Sequence, residues 1–307
     1  MKHTGKTLFI ITGPTAVGKT SLSLVLAKHF STEIVSADSR QFYREMKIGT
    51  APPSVEELNE VPHHFIGHLS VHDHYNVSKY ETEAIPLLHK LFLTHDSLIL
   101  TGGSGLYINT VINGIDDLPD PDESTRAYLK TLHETEGIRS LRLMLKELDP
   151  EFYAQVDLKN HARLIRALEV CITTGEKFSS LRRNNKKERN FDVIFIGLDR
   201  PREELFERIN LRADAMVSEG LIEEVRSLLP CRELNPLNTV GYKEIFRFLD
   251  NEISKEQAIE DIKTNTRRYA KRQLTWFKRT DEIKWFHPDE QDEILKYIEE
   301  SSIVIGH

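Results

Sequence analysis

The stretch from Thr7 to Thr20 constrains this chain more than any other. Thr7-Leu8-Phe9-Ile10-Ile11-Thr12 is an apolar run of the length expected for a buried parallel strand. It leads into Gly13-Pro14-Thr15-Ala16-Val17-Gly18-Lys19-Thr20, a G-x-x-x-x-G-K-T loop, and then into Ser21 to Ala27, which has helical composition. Strand, glycine loop and helix in that order are the context that a phosphate-binding loop requires. The glycines let the backbone turn its N–H groups inward, and the following helix N-terminus adds roughly half a positive charge at the same place. A di- or triphosphate fits such a cradle. Lys19 is placed to reach the terminal phosphates, and the Thr20 hydroxyl is the candidate metal ligand, for a magnesium ion bridging them. Nothing in the motif distinguishes ATP, GTP or another diphosphate.

A chain of 307 residues with 39% apolar and 29% charged residues has ordinary globular composition and room for one large or two ordinary domains. Cys171 and Cys231 are too few for a disulfide framework or a four-ligand zinc site, which suits a reducing compartment. The first apolar run, preceded by Lys2 and Lys6, is broken at once by Gly13-Pro14 and is no signal peptide. No apolar run approaches the roughly 18 residues that span a bilayer. The expectation is a cytoplasmic monomer with no membrane contact. A net charge of −7 argues on average against nucleic acid, yet the charge is uneven. Arg267 to Arg279 contains no acid, and Arg182 to Arg189 is nearly as basic.

After the first helix, Glu33 to Ala37 reads as a second strand ending in Asp38-Ser39-Arg40-Gln41. Residues just past the carboxyl ends of parallel strands line the ligand crevice, so Asp38 should face whatever the loop holds. Gly49 to Asn76 reads as loop. A helix follows from Ser78, with Ser78-x-x-Glu81 as its capping box and Pro86 as a kink. Ser97 to Thr101 reads as a third strand, followed by a second glycine loop, Gly102-Gly103-Ser104-Gly105, which serves either close packing or substrate contact. Beyond Pro119 and Pro121 only helical patterns occur up to about Arg189: Ser124 to Glu136, Ile138 to Leu148, and Ala162 to Thr173 closed by Gly175. Phe191 to Leu198 then returns to strand composition. The organisation expected is an α/β fold, a P-loop NTPase-like parallel sheet flanked by helices, with an all-helical insertion domain. The core takes residues 1–118 and 190–307, and the insertion takes 119–189. Helices are expected over Arg202 to Glu219, Leu221 to Leu229, Tyr242 to Leu249 and Ser254 to Phe277, then a short strand at Ile283 to Phe286 and a last helix.

The third strand ends without an acidic residue and no N-K-x-D occurs, which argues against a switch GTPase. A phosphate loop with Asp38 at the neighbouring strand end suits group transfer from a phosphorylated donor to an acceptor held by a carboxylate. A small-molecule kinase with Asp38 as base meets that description, and a non-catalytic RNA-binding module is a further reading of the loop together with the basic stretches.

A series of blocks then carries a family resemblance: Gly13 to Thr20, Asp38 to Tyr43, Gly49-Thr50-Ala51, Val61-Pro62-His63-His64, Gly102 to Tyr107, Ile165 to Val170, Gly241 to Glu244 and Tyr269 to Phe277. In this order, over almost the whole chain, they resemble the motifs of bacterial tRNA dimethylallyltransferases. The resemblance implies transfer of the dimethylallyl group of dimethylallyl diphosphate to the exocyclic amine of the adenosine just 3′ of the anticodon, with the tRNA anticodon stem-loop as partner. The loop then holds a diphosphate leaving group with Lys19, Thr20 and magnesium, and Asp38 is the general base, or alternatively a magnesium ligand. By resemblance Arg208 and Arg212 meet the diphosphate, unless Glu203 or Glu204 takes them in salt bridges. Asp38, Ser39, Arg40, Gln41 and Ser104, which replaces a commoner threonine, fall where the target base is held. Arg126, Ala162, Arg163, Leu164, Ile165 and Arg166 fall on the tRNA side. Two departures stand out: Asn160-His161-Ala162-Arg163 lacks a double-basic start, and Pro52-Pro53 removes a positive charge from its loop.

Arg268, Lys271 and Arg272 are candidate phosphate contacts on the long C-terminal helix, with a solvated helical face as the plain alternative. Tyr269, Trp276 and Phe277, interleaved with them, are expected to pack in the core. The histidines His63, His64, His68, His72 and His74 read as loop structure in preference to a metal site.

Overall fold

The computed structural model describes residues 5–116, 118–120, 122–182 and 186–305. Lys2, Pro121, Arg183, Asn184 and Asn185 from the sequence reading lie outside that set. The chain divides into two compact units, Met1–Ile112 with Glu188–His307, and Asn113–Lys187.

The first unit is built on β1 (Thr7–Thr12), β2 (Ile34–Ser36), β3 (His63–His64), β4 (Ser97–Thr101), β5 (Asp192–Leu198) and β6 (Lys284–Phe286). They form one sheet in the order β3-β2-β4-β1-β5-β6, and every pair is parallel. All the carboxyl ends therefore open on one edge, where α/β folds place their ligands. Along β1, Leu8 and Ile10 enter the core on one face of the sheet while Phe9 and Ile11 enter the other. That two-sided burial is why the strand reads as an unbroken apolar run.

Helices α1 (Lys19–His29), α2 (Val55–Glu60), α3 (Val77–Leu91) and α4 (Gly105–Asn113) lie in the first part of the chain. The second unit holds α5 (Glu123–Glu136), α6 (Ile138–Leu148), α7 (Pro150–Gln155), α8 (His161–Thr174) and α9 (Phe178–Leu181). The chain then runs through α10 (Arg202–Ser218), α11 (Leu221–Ser227), α12 (Tyr242–Leu249), α13 (Lys255–Phe277) and α14 (Gln291–Ile305). Among the described residues no helix is long and apolar enough to cross a membrane.

Local chemistry corrects several expected elements. Helix α3 begins at Val77, because Asn76 caps it by accepting from the Lys79 N–H; Glu81 is instead nearly buried and paired with Arg189 at 2.6 Å. The Ser78 capping box is therefore not formed. The helix continues through Pro86. The segment expected as loop contains α2, held by a complete capping box of Ser54 and Glu57, and the edge strand β3. Two residues are too few for any period to show. In the second unit Asp149, fully buried, accepts from Phe152 N at 2.9 Å and from Ser179 N at 2.7 Å, which starts α7 and ties α9 to it.

A carboxylate also orders the loop after Tyr43. Glu224 Oε2 accepts from Lys47 N and Ile48 N, and Oε1 from Gly49 N and the Tyr242 hydroxyl, at 2.6–3.0 Å. Burial and this carboxylate push the Tyr242 phenol pKa upward. Replacing a charged acceptor of several bonds typically costs about 2–3 kcal/mol. Glu224→Ala is therefore expected to lower the urea unfolding midpoint while leaving the denaturant slope unchanged. An unmoved midpoint would show that the loop orders itself without this carboxylate.

Candidate active site

The phosphate loop leaves β1 at Gly13, whose φ of 144° and contact with the Leu198 carbonyl exclude any side chain. Lys19 turns its amine onto the loop, donating to Gly13 O at 3.1 Å and Pro14 O at 2.8 Å. Further cations grip the rest of the loop. Arg208 Nε donates to Ala16 O at 2.9 Å, Arg200 Nε to Val17 O at 2.8 Å, and Arg212 Nη2 to the Thr15 hydroxyl at 2.8 Å. Glu204 is engaged by Arg200 and His287, so the alternative in which it takes Arg208 and Arg212 is not what forms.

Above the loop lies a cavity of about 950 Å³. Its wall includes Thr15, Ala16, Gly18, Lys19 and Thr20, then Asp38 to Gln41, and Arg208, Arg212, Tyr269 and Arg272. The sheet brings these together: the loop follows β1, Asp38 follows β2, and the second glycine loop follows β4, on one edge of neighbouring strands. Burial pushes the Lys19 amine down to about 8, opposed by the Asp38 carboxylate and aided by Arg212. Burial likewise lowers the Arg212 guanidinium, again opposed by Asp38. Asp38 is thus the negative charge that both cations feel. Its Oδ1 accepts from Arg40 N at 3.1 Å, which turns the chain just after the strand.

Several expected site residues already have protein partners. Gln41 Nε2 donates to Ala51 O at 2.9 Å and Thr50 O at 3.3 Å, so its amide holds the neighbouring loop. Arg40 Nη1 donates to the carbonyls of Asn235 and Pro236. Ser104 Oγ accepts from Ser39 N and donates to Ser39 Oγ, both at 3.1 Å, joining the second glycine loop to the segment after Asp38. That loop packs closely as well: a side chain at Gly103 would collide with Gln273, and one at Gly105 with Trp276.

On α13, Arg268, Lys271 and Arg272 are exposed. Phe277 is core, but Tyr269 is half-buried on the cavity wall and Trp276 is 40% exposed over Gly105, so neither packs as expected. The period placed these rings on a helix; it could not show that the facing element is a glycine loop.

In the second unit Arg126 and Arg166 are pinned by Glu169, at 3.0 and 2.8 Å, whose carboxylate is 1% exposed. Leu164 and Ile165 are buried in that unit's core beside Leu129, Leu141 and Leu145. Their side chains are thus spent on packing and are not presented to a ligand. Ala162 and Arg163 are exposed at the start of α8, where Asn160 caps the helix through Arg163 N.

Two residues of the site had no sequence signal. The Thr101 hydroxyl at the end of β4 is buried on the cavity wall without a hydrogen bond. The Gln273 amide is buried among otherwise basic neighbours. Among the described residues no three histidine, cysteine or carboxylate groups gather as a metal site. His64 is hydrogen-bonded to Glu33 and His63 to Val61 O.

A family model described as IPP transferase matches residues 41–280. The chain is 53% identical to tRNA dimethylallyltransferase 1 of Bacteroides fragilis, over 97% of this chain and 99% of that one. It is 54% identical to tRNA dimethylallyltransferase of Christiangramia forsetii, over 95% and 97%. The full-length tRNA isopentenylpyrophosphate transferase of Bacillus halodurans superposes with a TM-score of 0.72 at 36% identity, over 98% of each chain. A eukaryotic dimethylallyltransferase acting on tRNA gives a TM-score of 0.75 at 27% identity, over 92% of this chain and 73% of that one.

The depressed Lys19 pKa is directly measurable. In the free protein its amine is charged below about 8 and neutral above. An anion in the loop favours the charged form, so binding must raise that pKa. The ¹³Cε resonance of Lys19 is expected to titrate near 8 and to move upward when inorganic pyrophosphate is added. A midpoint unchanged by pyrophosphate would place the anion elsewhere.

Proposed function

Because the chain belongs to the IPP transferase family, we propose that its cavity transfers the dimethylallyl group of dimethylallyl diphosphate to the N6 amine of the adenosine 3′-adjacent to the anticodon of tRNA, releasing pyrophosphate. The observation that carries this reading is one carboxylate, Asp38, sharing the cavity with the phosphate loop and acting on both Lys19 and Arg212.

The chemistry asks for two opposite things at close quarters. As the C1–O bond of the donor breaks, its electron pair leaves with pyrophosphate while positive charge grows on the allyl carbon. The loop N–H groups, Lys19, Arg208 and Arg212 stabilise that leaving charge; removing one such donor typically costs about 3 kcal/mol of barrier. On the acceptor side, the adenine amine is a weak nucleophile because its lone pair is delocalised into the ring. The N6 lone pair forms the new C–N bond, and the Asp38 carboxylate takes the N6 proton, so charge and atoms balance.

Magnesium fits this donor set. Mg²⁺ keeps its waters and takes few protein ligands beside substrate phosphates, and the cavity offers Thr20 in the first turn of α1. When bound, the ion would be held by the Thr20 hydroxyl and would supply further positive charge to the leaving pyrophosphate.

The acceptor must be drawn out of the anticodon-loop stack, at a cost of a few kcal/mol. Asp38 and Ser39 line the cavity it enters, with Ser104 bonded to Ser39. Exposed Arg268, Lys271 and Arg272 on α13 meet RNA phosphates, as does Arg163 on α8. Arg126 and Arg166 reach RNA only if Glu169 shares or releases them. The reading places the protein in the cytoplasm as a monomer working on the anticodon stem-loop.

Purified protein incubated with unmodified tRNA, labelled dimethylallyl diphosphate and magnesium should transfer label to tRNA. No label, together with ATP-dependent phosphorylation of a small acceptor, would return the kinase reading. Asp38→Asn is expected to reduce turnover by about 10²–10⁴-fold with tRNA affinity retained; a near-wild-type rate removes Asp38 from the base role. For Arg268→Ala, affinity for tRNA should fall and the slope of log affinity against log salt should drop by about 1. An unchanged slope would assign that face to solvent.

A further inference from the structure

Gln273 is 6% exposed, in the middle of the most basic stretch of the chain. Both polar atoms of its side chain are engaged. Oε1 accepts from Thr15 N at 2.8 Å and Nε2 donates to Gly103 O at 2.9 Å. The two partners fix the amide's orientation, since an N–H needs an acceptor and a carbonyl needs a donor. One planar group thus bridges the phosphate loop and the second glycine loop. Each loop is in turn tied to groups of the reaction. Thr15 carries the Arg212 contact through its hydroxyl. Gly103 precedes Ser104, which joins Ser39, and Asp38 Oδ2 lies 3.6 Å from where a Gly103 Cβ would sit. A side chain at Gly103 would strike the amide nitrogen, so the bridge requires glycine there for space. The same helical face also brings Tyr269 and Arg272 to the cavity and Trp276 over Gly105, at spacings of three and four residues.

We propose that Gln273 is a positioning residue that holds the leaving-group side of the cavity in register with the nucleophile side, so that an anion seated in the phosphate loop orders the second glycine loop. The catalytic part of this inference rests on the prenyl-transfer reading; the loop coupling does not. An amide offers one acceptor and one donor from the same plane. Glutamate, when ionised, only accepts and faces the Gly103 carbonyl with an oxygen. When protonated it accepts through C=O and donates through O–H, restoring both bonds. Leucine restores neither at any pH.

Two measurements test this. In the first, single-turnover transfer by the full chain is followed from pH 6 to 8.5 for wild type, Gln273→Glu and Gln273→Leu. Both variants are expected to lose about tenfold or more in the transfer step at pH 8, with KM for donor and tRNA changed by less than about threefold. The ratio of Gln273→Glu to wild type should climb as pH falls, while that of Gln273→Leu stays flat. Flat ratios for both, or rates within twofold of wild type, overturn the positioning role. In the second, hydrogen exchange of the Thr101 to Leu106 amides is compared with and without inorganic pyrophosphate and magnesium. Pyrophosphate should slow exchange in wild type and leave Gln273→Leu unaffected. No slowing in wild type, or equal slowing in both, overturns the coupling. A wild type that shows the coupling but labels no tRNA overturns the prenyl-transfer reading alone.

Discussion

The structure depends on how the phosphate loop is held from behind. A loop whose N–H groups converge on an anion must send its carbonyls outward, and in a protein interior those carbonyls need donors. Here Arg208 and Arg200 supply them at Ala16 and Val17, with Lys19 at Gly13 and Pro14. Ala16 itself sits at a φ of 64°, a conformation that costs a non-glycine residue free energy and persists only where its surroundings fix it. Cations brought from α10 and the end of β5 do that fixing. The same arginines add positive potential behind the cradle, so one set of contacts builds the backbone shape and the field.

Asp38 is what makes this a two-sided site and not a plain anion trap. Its charge acts on both Lys19 and Arg212, and the Arg40 turn presents it at the end of β2. The segments around it are tied together through Ser39 and Ser104, Gln41 and Ala51, and Glu224 with Gly49. Several polar groups near the cavity thus bond one another, which fixes the segments that carry the reacting groups.

The parallel core and the loop were legible in the sequence because their signals are local. An apolar run flanked by glycines, or an Asp at a strand end, declares itself within a dozen residues. The long helices α5, α6, α8 and α13 were likewise legible, from apolar spacing and from Ser254 and Gly175 at their ends. What was not legible depends on distant partners. Asn76 outcompeted Ser78 as a cap because Glu81 is drawn into a buried pair with Arg189, more than a hundred residues away. β3 is a strand only because β2 lies beside it. Leu164 and Ile165 sit in a block that resembles an RNA-facing motif, yet the helical period turns them inward, and Arg126 and Arg166 answer to a carboxylate on the inner face of α8. A resemblance assigns a block to a function; burial decides which of its side chains can perform it.

The contacts that finish the phosphate loop come from very far along the chain. Thr15 is bonded to Gln273 across 258 positions, Val17 to Arg200 across 183 and Thr15 to Arg212 across 197. During synthesis the motif emerges roughly two hundred residues or more before the side chains that support it. Contacts of such separation form late because loop closure must come before they stabilise anything. The anion site therefore forms only after these distant residues have been made, and a chain stalled before Arg200 carries the motif without the cradle.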